Sequence, residues 1–146
     1  MNPEELTHSL RKEAIKNGHS VQTLAIGTSM FPFLRKGDLL TVDPLPIETI
    51  KRGDIVVFEL EEKWIAHRVI HIRFVDGAIQ LTTRGDARIS SDPVINKLNY
   101  VGLVSVIERD FKKISLHSFR KKLGSQIHIL GGVALSFALN FIARKT

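Results

Sequence analysis

Six short runs decide most of what this chain can become. VQTLAIG, DLLTVD, GDIVVFEL, WIAHRVIHIRFV, AIQLTTRG and YVGLVSVIE follow one another between residues 21 and 108, each rich in Val, Ile, Leu or Thr. Such side chains suit a pleated, half-buried surface. The segments RKGD, DPLP, KRGD and VDGA between them supply the Gly, Pro and Asp that tight turns require. VDGA, between IHIRF and IQLTT, reads as a hairpin turn. The expected fold is therefore mainly β, one compact antiparallel domain over residues 20–110. A chain of 146 residues is long enough for one such core and too short for two ordinary domains.

Both ends depart from this pattern. Residues 1–19 read as an amphipathic helix lying on the body. Asn2 can cap it, Pro3 suits its first turn, Leu6, Leu10 and Ala14 share a face, and Gly18 stops it. Acids at its start and the lack of an apolar stretch argue against a secretory signal. Residues 111–146 read as a basic linker followed by an apolar C-terminal helix. All 15 acidic residues precede position 111 and face 14 of the 21 basic ones, a net charge of −1, whereas the remaining seven basic residues stand in a tail without acids.

Residues 123–143 of that tail carry no formal charge and as a helix would extend about 31 Å, near the hydrocarbon thickness of a bilayer. Ser125, Gln126, His128, Ser136, Asn140 and the Gly131-Gly132 pair weaken a membrane span. An interfacial helix and a helix packed on protein stay open beside it. Five basic residues precede the run and two follow it, so a span would leave the β domain facing the cytoplasm. The expectation is a protein attached to a membrane through its C-terminus, or a cytoplasmic one. Nucleic acid is disfavoured as a partner because the β body is not basic and holds no recognition motif.

One segment fits neither strand nor helix. GTSMFPFLRKGD, residues 27–38, repeats its apolar residues at no regular period and sets Ser29 in an irregular loop. A serine that attacks at neutral pH needs a base to take its proton, and histidine has the right ordinary pKa for that work. A carboxylate on the other ring nitrogen would fix the tautomer. The chain offers Ser29, then His67 in AHRVI, then Asp86 and Asp92 in TRGDARISSD. Trios of these residue types are common, and the order alone decides little. The absence of cysteine removes thiol nucleophiles, thiolate metal sites and disulfides. His67 and His71 sit four apart on a strand, about 13 Å between Cα atoms, too far to share a metal ion.

The surrounding residues add weight. GTSMFPFLRKGDLLTV, KRGDIVVF, AHRVI and TRGD with a later Asp resemble, in order and spacing, the boxes of type I signal peptidases. The similarity covers residues 27–92 and is nearest the endoplasmic-reticulum and archaeal branch, which has histidine where the common bacterial branch has lysine. The resemblance implies a signal-peptidase-like β domain, with Ser29 as nucleophile and His67 as general base. Asp92 is favoured over Asp86 to orient His67, and Asp86 to organise the loop. Thr28, Met30 and Pro32 would line the oxyanion and substrate site. Gly27 stands where some relatives supply a hydroxyl, which leaves the Ser29 N–H and the Thr28 hydroxyl as donors. Lys63, the other candidate base, does not fall on the motif. Arg68 is open between a carboxylate pair and a solvated position.

The implied substrate is an extended peptide or precursor protein with small side chains before the cut, and no metal or organic cofactor is needed. The rival expectation is a silent module of the same fold that binds an extended peptide or scaffolds a complex.

Overall fold

The computed structural model describes residues 1–117. Its elements are helix α1 (Pro3–Lys16) and strands β1 (Val21–Leu24), β2 (Leu39–Asp43), β3 (Ile55–Leu60), β4 (Lys63–Val75), β5 (Ala78–Arg84), β6 (Tyr100–Arg109) and β7 (Lys112–Ser115), with one turn of 3-10 helix at Ile47–Thr49. All seven strands join one antiparallel sheet in the order β1-β2-β6-β3-β4-β5, with β7 also pairing β6. The expected mainly β domain is present. The expected C-terminal apolar helix and any span over residues 123–143 lie outside the described residues. Among the described residues no helix is long and apolar enough to cross a membrane.

Strand β3 explains how the sheet finds its core. Its apolar run from Ile55 to Phe58 leaves no polar face over those four residues, so both faces must be covered there. Ile55 and Val57 enter one buried cluster with Leu40, Val42, Val104 and Ile107. Val56 and Phe58 enter a second with Val69, Leu81, Ile95 and Leu103. Alternation along the strand sends successive side chains to opposite faces. Each fully buried side chain of this size contributes about 1.5–3 kcal/mol. β3 is thus a stiff central element with β4 at its side, and β4 carries His67.

Tight hairpins set the register. Asp76 (φ 49°) and Gly77 (φ 76°) make the VDGA turn between β4 and β5. Glu61 and Glu62 (φ 50° and 61°) join β3 to β4, and Asp110 and Phe111 (φ 51° and 62°) join β6 to β7. Two left-handed residues in a row match the twist of the strands they connect. The last of these turns carries the sheet past residue 110, so the basic segment begins as strand β7 rather than as linker.

Helix α1 begins as its sequence indicates. The Asn2 side chain accepts from Glu5 N–H at 2.8 Å, and the Glu5 carboxylate accepts from Asn2 N–H at 3.0 Å. Its packing face differs from the expected one. Leu6 and Leu10 are 50% and 61% exposed. Of the expected face only Ala14 touches the core, and it does so together with Ile15; the His8 ring meets Trp64 edge-on at 5.4 Å, and Lys12 pairs with Glu59 at 2.9 Å. Positions 8, 12 and 15 (i, i+4, i+7) share a helix face as well as 6, 10 and 14 (i, i+4, i+8) do, so spacing alone could not choose between the two stripes. Asn2→Ala is expected to cost about 1 kcal/mol of local helix stability, read as faster amide exchange in the first turn with the sheet amides unchanged.

Candidate active site

The loop between β1 and β2 is irregular because it is pinned from both sides. Met30 and Leu34 are buried in the first core cluster, and Leu34 N–H donates to the Met30 carbonyl at 2.9 Å. Phe31 N–H donates to Thr28 O at 3.0 Å, and the Phe31–Pro32 peptide is cis. At the neck of the loop Ala25 N–H donates to Asp38 O at 2.9 Å and Gly37 N–H to Ala25 O at 2.7 Å. Asp38 is buried, accepts from Arg35 N–H at 2.8 Å, and pairs with Arg109 through two guanidinium nitrogens. That hydrogen bond raises the Arg109 guanidinium above its ordinary value, against the opposing effect of its burial. Ser29 is held half-buried between these anchors.

His67 reaches the serine from the sheet. It sits opposite Val56 of β3, is 6% exposed, and meets the Phe58 ring edge-on at 6.0 Å. Its Nε2 lies 2.8 Å from Ser29 Oγ. Its Nδ1 lies 2.6 Å from Asp92 Oδ2. An ionised carboxylate can only accept, so this contact puts the ring proton on Nδ1 and leaves Nε2 to accept from the serine hydroxyl. Asp92 arrives because the segment after β5 folds back on it, with Leu81 bridging Ile95 and Asp92 N–H donating to Thr83 O at 2.9 Å.

The other aspartate has a different partner. Asp86 takes two hydrogen bonds from Arg68, at 2.8 Å from Nε and 2.7 Å from Nη2. Both side chains are almost wholly buried. Arg68 also donates to Gly53 O at 3.0 Å and stacks over the Phe33 ring at 4.7 Å. One guanidinium therefore links the serine loop, the KRGD turn and the GD turn, and Arg68 is an ion-paired residue rather than a solvated one. Met30 is wedged in the same place, with Asp86 N–H pointing at its sulfur at 3.3 Å. It is core, not open wall of a cleft. Gly27 and Thr28 are exposed and Pro32 is half-buried. Lys63 lies exposed at the β3–β4 hairpin, and His71 is exposed on β4.

Gly85 permits this convergence, and local sequence reading gave it no role. It is buried, and a Cβ there would meet Ser29 O at 2.6 Å, Arg88 Cγ at 2.9 Å and His67 Nε2 at 3.1 Å. Beside it, Ala87 N–H donates to Ser29 O at 2.8 Å. Gly85→Ala is expected to part the serine from the histidine and lower any Ser29-dependent activity by about a hundredfold or more. The check is a rate comparison on folded variant protein. A cavity of about 440 Å³ near the β4–β5 hairpin, lined by Glu48, Phe74, Lys97 and Leu98 among others, contains none of these residues.

Serine, histidine and carboxylate in hydrogen-bonded series suit a nucleophile relay. The Peptidase S24-like profile matches residues 4–105, which includes every residue of the arrangement. The chain belongs to this family. Among curated relatives it is 32% identical, over 111 residues, to the signal peptidase complex catalytic subunit SEC11C of dog, human and mouse. The alignment covers 62% of this chain and 58% of each relative, so the chain spans little more than half the length of the relatives it matches. The chain thus falls in a signal-peptidase-like serine peptidase family, in line with the resemblance in its sequence.

Proposed function

We propose that the protein is a serine endopeptidase of the signal-peptidase type, with Ser29 as nucleophile, His67 as general base and Asp92 as the carboxylate that orients His67. The observation that carries the reading is the continuous series from Ser29 Oγ through both ring nitrogens of His67 to Asp92, at 2.8 and 2.6 Å. Ser29 Oγ attacks the scissile carbonyl while His67 Nε2 takes its proton. The imidazolium is stabilised by Asp92 and then protonates the leaving amine. Water, deprotonated by the same nitrogen, hydrolyses the acyl-enzyme and restores the serine. Every proton is carried by these side chains, so the scheme requires no metal or organic cofactor.

Charge develops on the carbonyl oxygen in both tetrahedral intermediates. The family resemblance leaves the Ser29 N–H and the Thr28 hydroxyl as donors to that oxygen, because Gly27 has no side chain to offer. A donor of this kind contributes about 3–4 kcal/mol of transition-state stabilisation. The substrate is an extended peptide or precursor that lies as an added strand beside the serine loop, with small side chains before the cut. The SEC11C relatives are catalytic subunits of a signal peptidase complex, which supports a precursor peptide as the substrate class. Membrane attachment through the tail, with the β domain facing the cytoplasm, remains part of the proposal.

The test is digestion of a diverse library of extended peptides, read by mass spectrometry with and without detergent. Cuts after small residues are expected. Cuts without side-chain preference would remove the signal-peptidase assignment while leaving a peptidase.

A further inference from the structure

The face of the sheet that presents His67 holds another polar side chain, which the proton relay does not use. Thr83 on β5 is 0% exposed, and its hydroxyl donates to Asp92 Oδ2 at 2.7 Å. This is the oxygen that faces His67 Nδ1 at 2.6 Å. Register accounts for the meeting. Thr83 pairs with Val69, and Val69 stands two residues beyond His67 on β4, so all three project to one face. A buried hydroxyl needs a partner, and here its proton is committed to the carboxylate of the relay.

The geometry points to Thr83 as a positioning residue that tunes Asp92, and through it the basicity of His67, by sharing Oδ2 with the imidazole. This inference rests on the peptidase reading. Two ties join Thr83 to Asp92, and only one involves the side chain. The bond from Asp92 N–H to Thr83 O, at 2.9 Å, survives any substitution at position 83 that keeps the strand. Removing the hydroxyl therefore leaves Asp92 in place but strips one donor from Oδ2. An oxygen relieved of that donor holds the His67 proton more firmly. The imidazolium then persists to higher pH, and the base is available over a narrower range.

The remaining surroundings of His67 stay constant under this change. Ser29 is neutral and Phe58 apolar. Arg68, next along β4, projects to the opposite face and is paired with Asp86. Arg84 alternates to the opposite face from Thr83. Arg88 packs its stem near Gly85 and is exposed.

The experiment measures kcat and KM across pH for wild type, Thr83→Val and Thr83→Ser on a peptide that the wild type cuts. Valine keeps the shape and loses the hydroxyl, whereas serine keeps the hydroxyl. Thr83→Val is expected to move the acidic limb of kcat/KM upward by about half a unit, and so to lower kcat about two- to threefold at neutral pH with KM little changed. Thr83→Ser is expected to retain the wild-type limb. If the valine variant does not fold, Thr83→Ala is read in the same way.

A folded hydroxyl-free variant whose acidic limb stays in place or moves to lower pH overturns the assignment alone. So does a serine variant whose limb moves as far as that of valine. A wild type that cleaves nothing, or a Ser29→Ala variant that cleaves as well as wild type, overturns the peptidase reading and this inference with it.

Discussion

His67→Ala is expected to lower kcat/KM by about a million-fold, and Asp92→Asn by about ten-thousand-fold, with both proteins still folded. The two numbers differ for a physical reason. Without His67 the hydroxyl loses the ring nitrogen that takes its proton, and it is a poor nucleophile at neutral pH. With Asp92→Asn the imidazole is still present, 2.8 Å from the serine. The amide can turn its NH2 toward Nδ1, which forces the ring proton onto Nε2 and points a donor where an acceptor is needed. Steady-state rates on a single peptide, with circular dichroism to verify the fold, check both variants. Asp86→Asn separates the two aspartates, because Asp86 pairs with Arg68 whereas Asp92 faces His67 Nδ1. A ten-thousand-fold loss confined to Asp86→Asn, with Asp92→Asn near wild type, would exchange the roles of the two aspartates.

The largest stability effect is expected at Arg68. Its ion pair with Asp86 is buried on both sides, with side chains 7% and 2% exposed. Taking both charges out of water is costly, and their mutual attraction offsets that cost only while both are present. Arg68→Met leaves a buried carboxylate without its guanidinium, and also removes the bond to Gly53 O and the stacking on Phe33. A destabilisation of about 3–5 kcal/mol is expected, read in urea melts as a lower midpoint with an unchanged slope. The double variant Arg68→Met/Asp86→Leu should recover part of the loss, because no lone charge then remains. A single variant within about 0.5 kcal/mol of wild type would show that the pair does not hold these loops together.

The strands were the most legible part of the fold. Turn residues and β-rich runs mark β1 to β6 because both signals are local. The Asp76-Gly77 hairpin was readable for the same reason. Strand β7 was not, since its Lys112, Lys113, Ile114 and Ser115 carry little β pattern and become a strand only by pairing with β6. Two candidate faces on helix α1 both had helical spacing, and contacts with Trp64 and Glu59, distant in sequence, chose between them.

Within the site, Ser29 and His67 stood out through the motifs that surround them. The choice between Asp92 and Asp86 depends on which one the returning segment lays against His67, and that follows from the Leu81–Ile95 bridge. Thr83 and Gly85 lie in the TRGD box, but the box assigns neither of them a role. One matters through a buried hydrogen bond and the other through a missing Cβ, and both become visible only when strands and loops are brought together.

The most direct test of the central claim compares wild type with Ser29→Ala on the peptide best cut in the library, measuring cleavage and binding on the same preparations. Loss of a single Oγ removes the nucleophile and little of the binding surface. The expected result is cleavage by wild type, no detectable cleavage by Ser29→Ala, and the same dissociation constant for both. Equal cleavage by the two proteins would contradict Ser29 as nucleophile. Binding without cleavage by the wild type would make this fold a peptide-binding module instead.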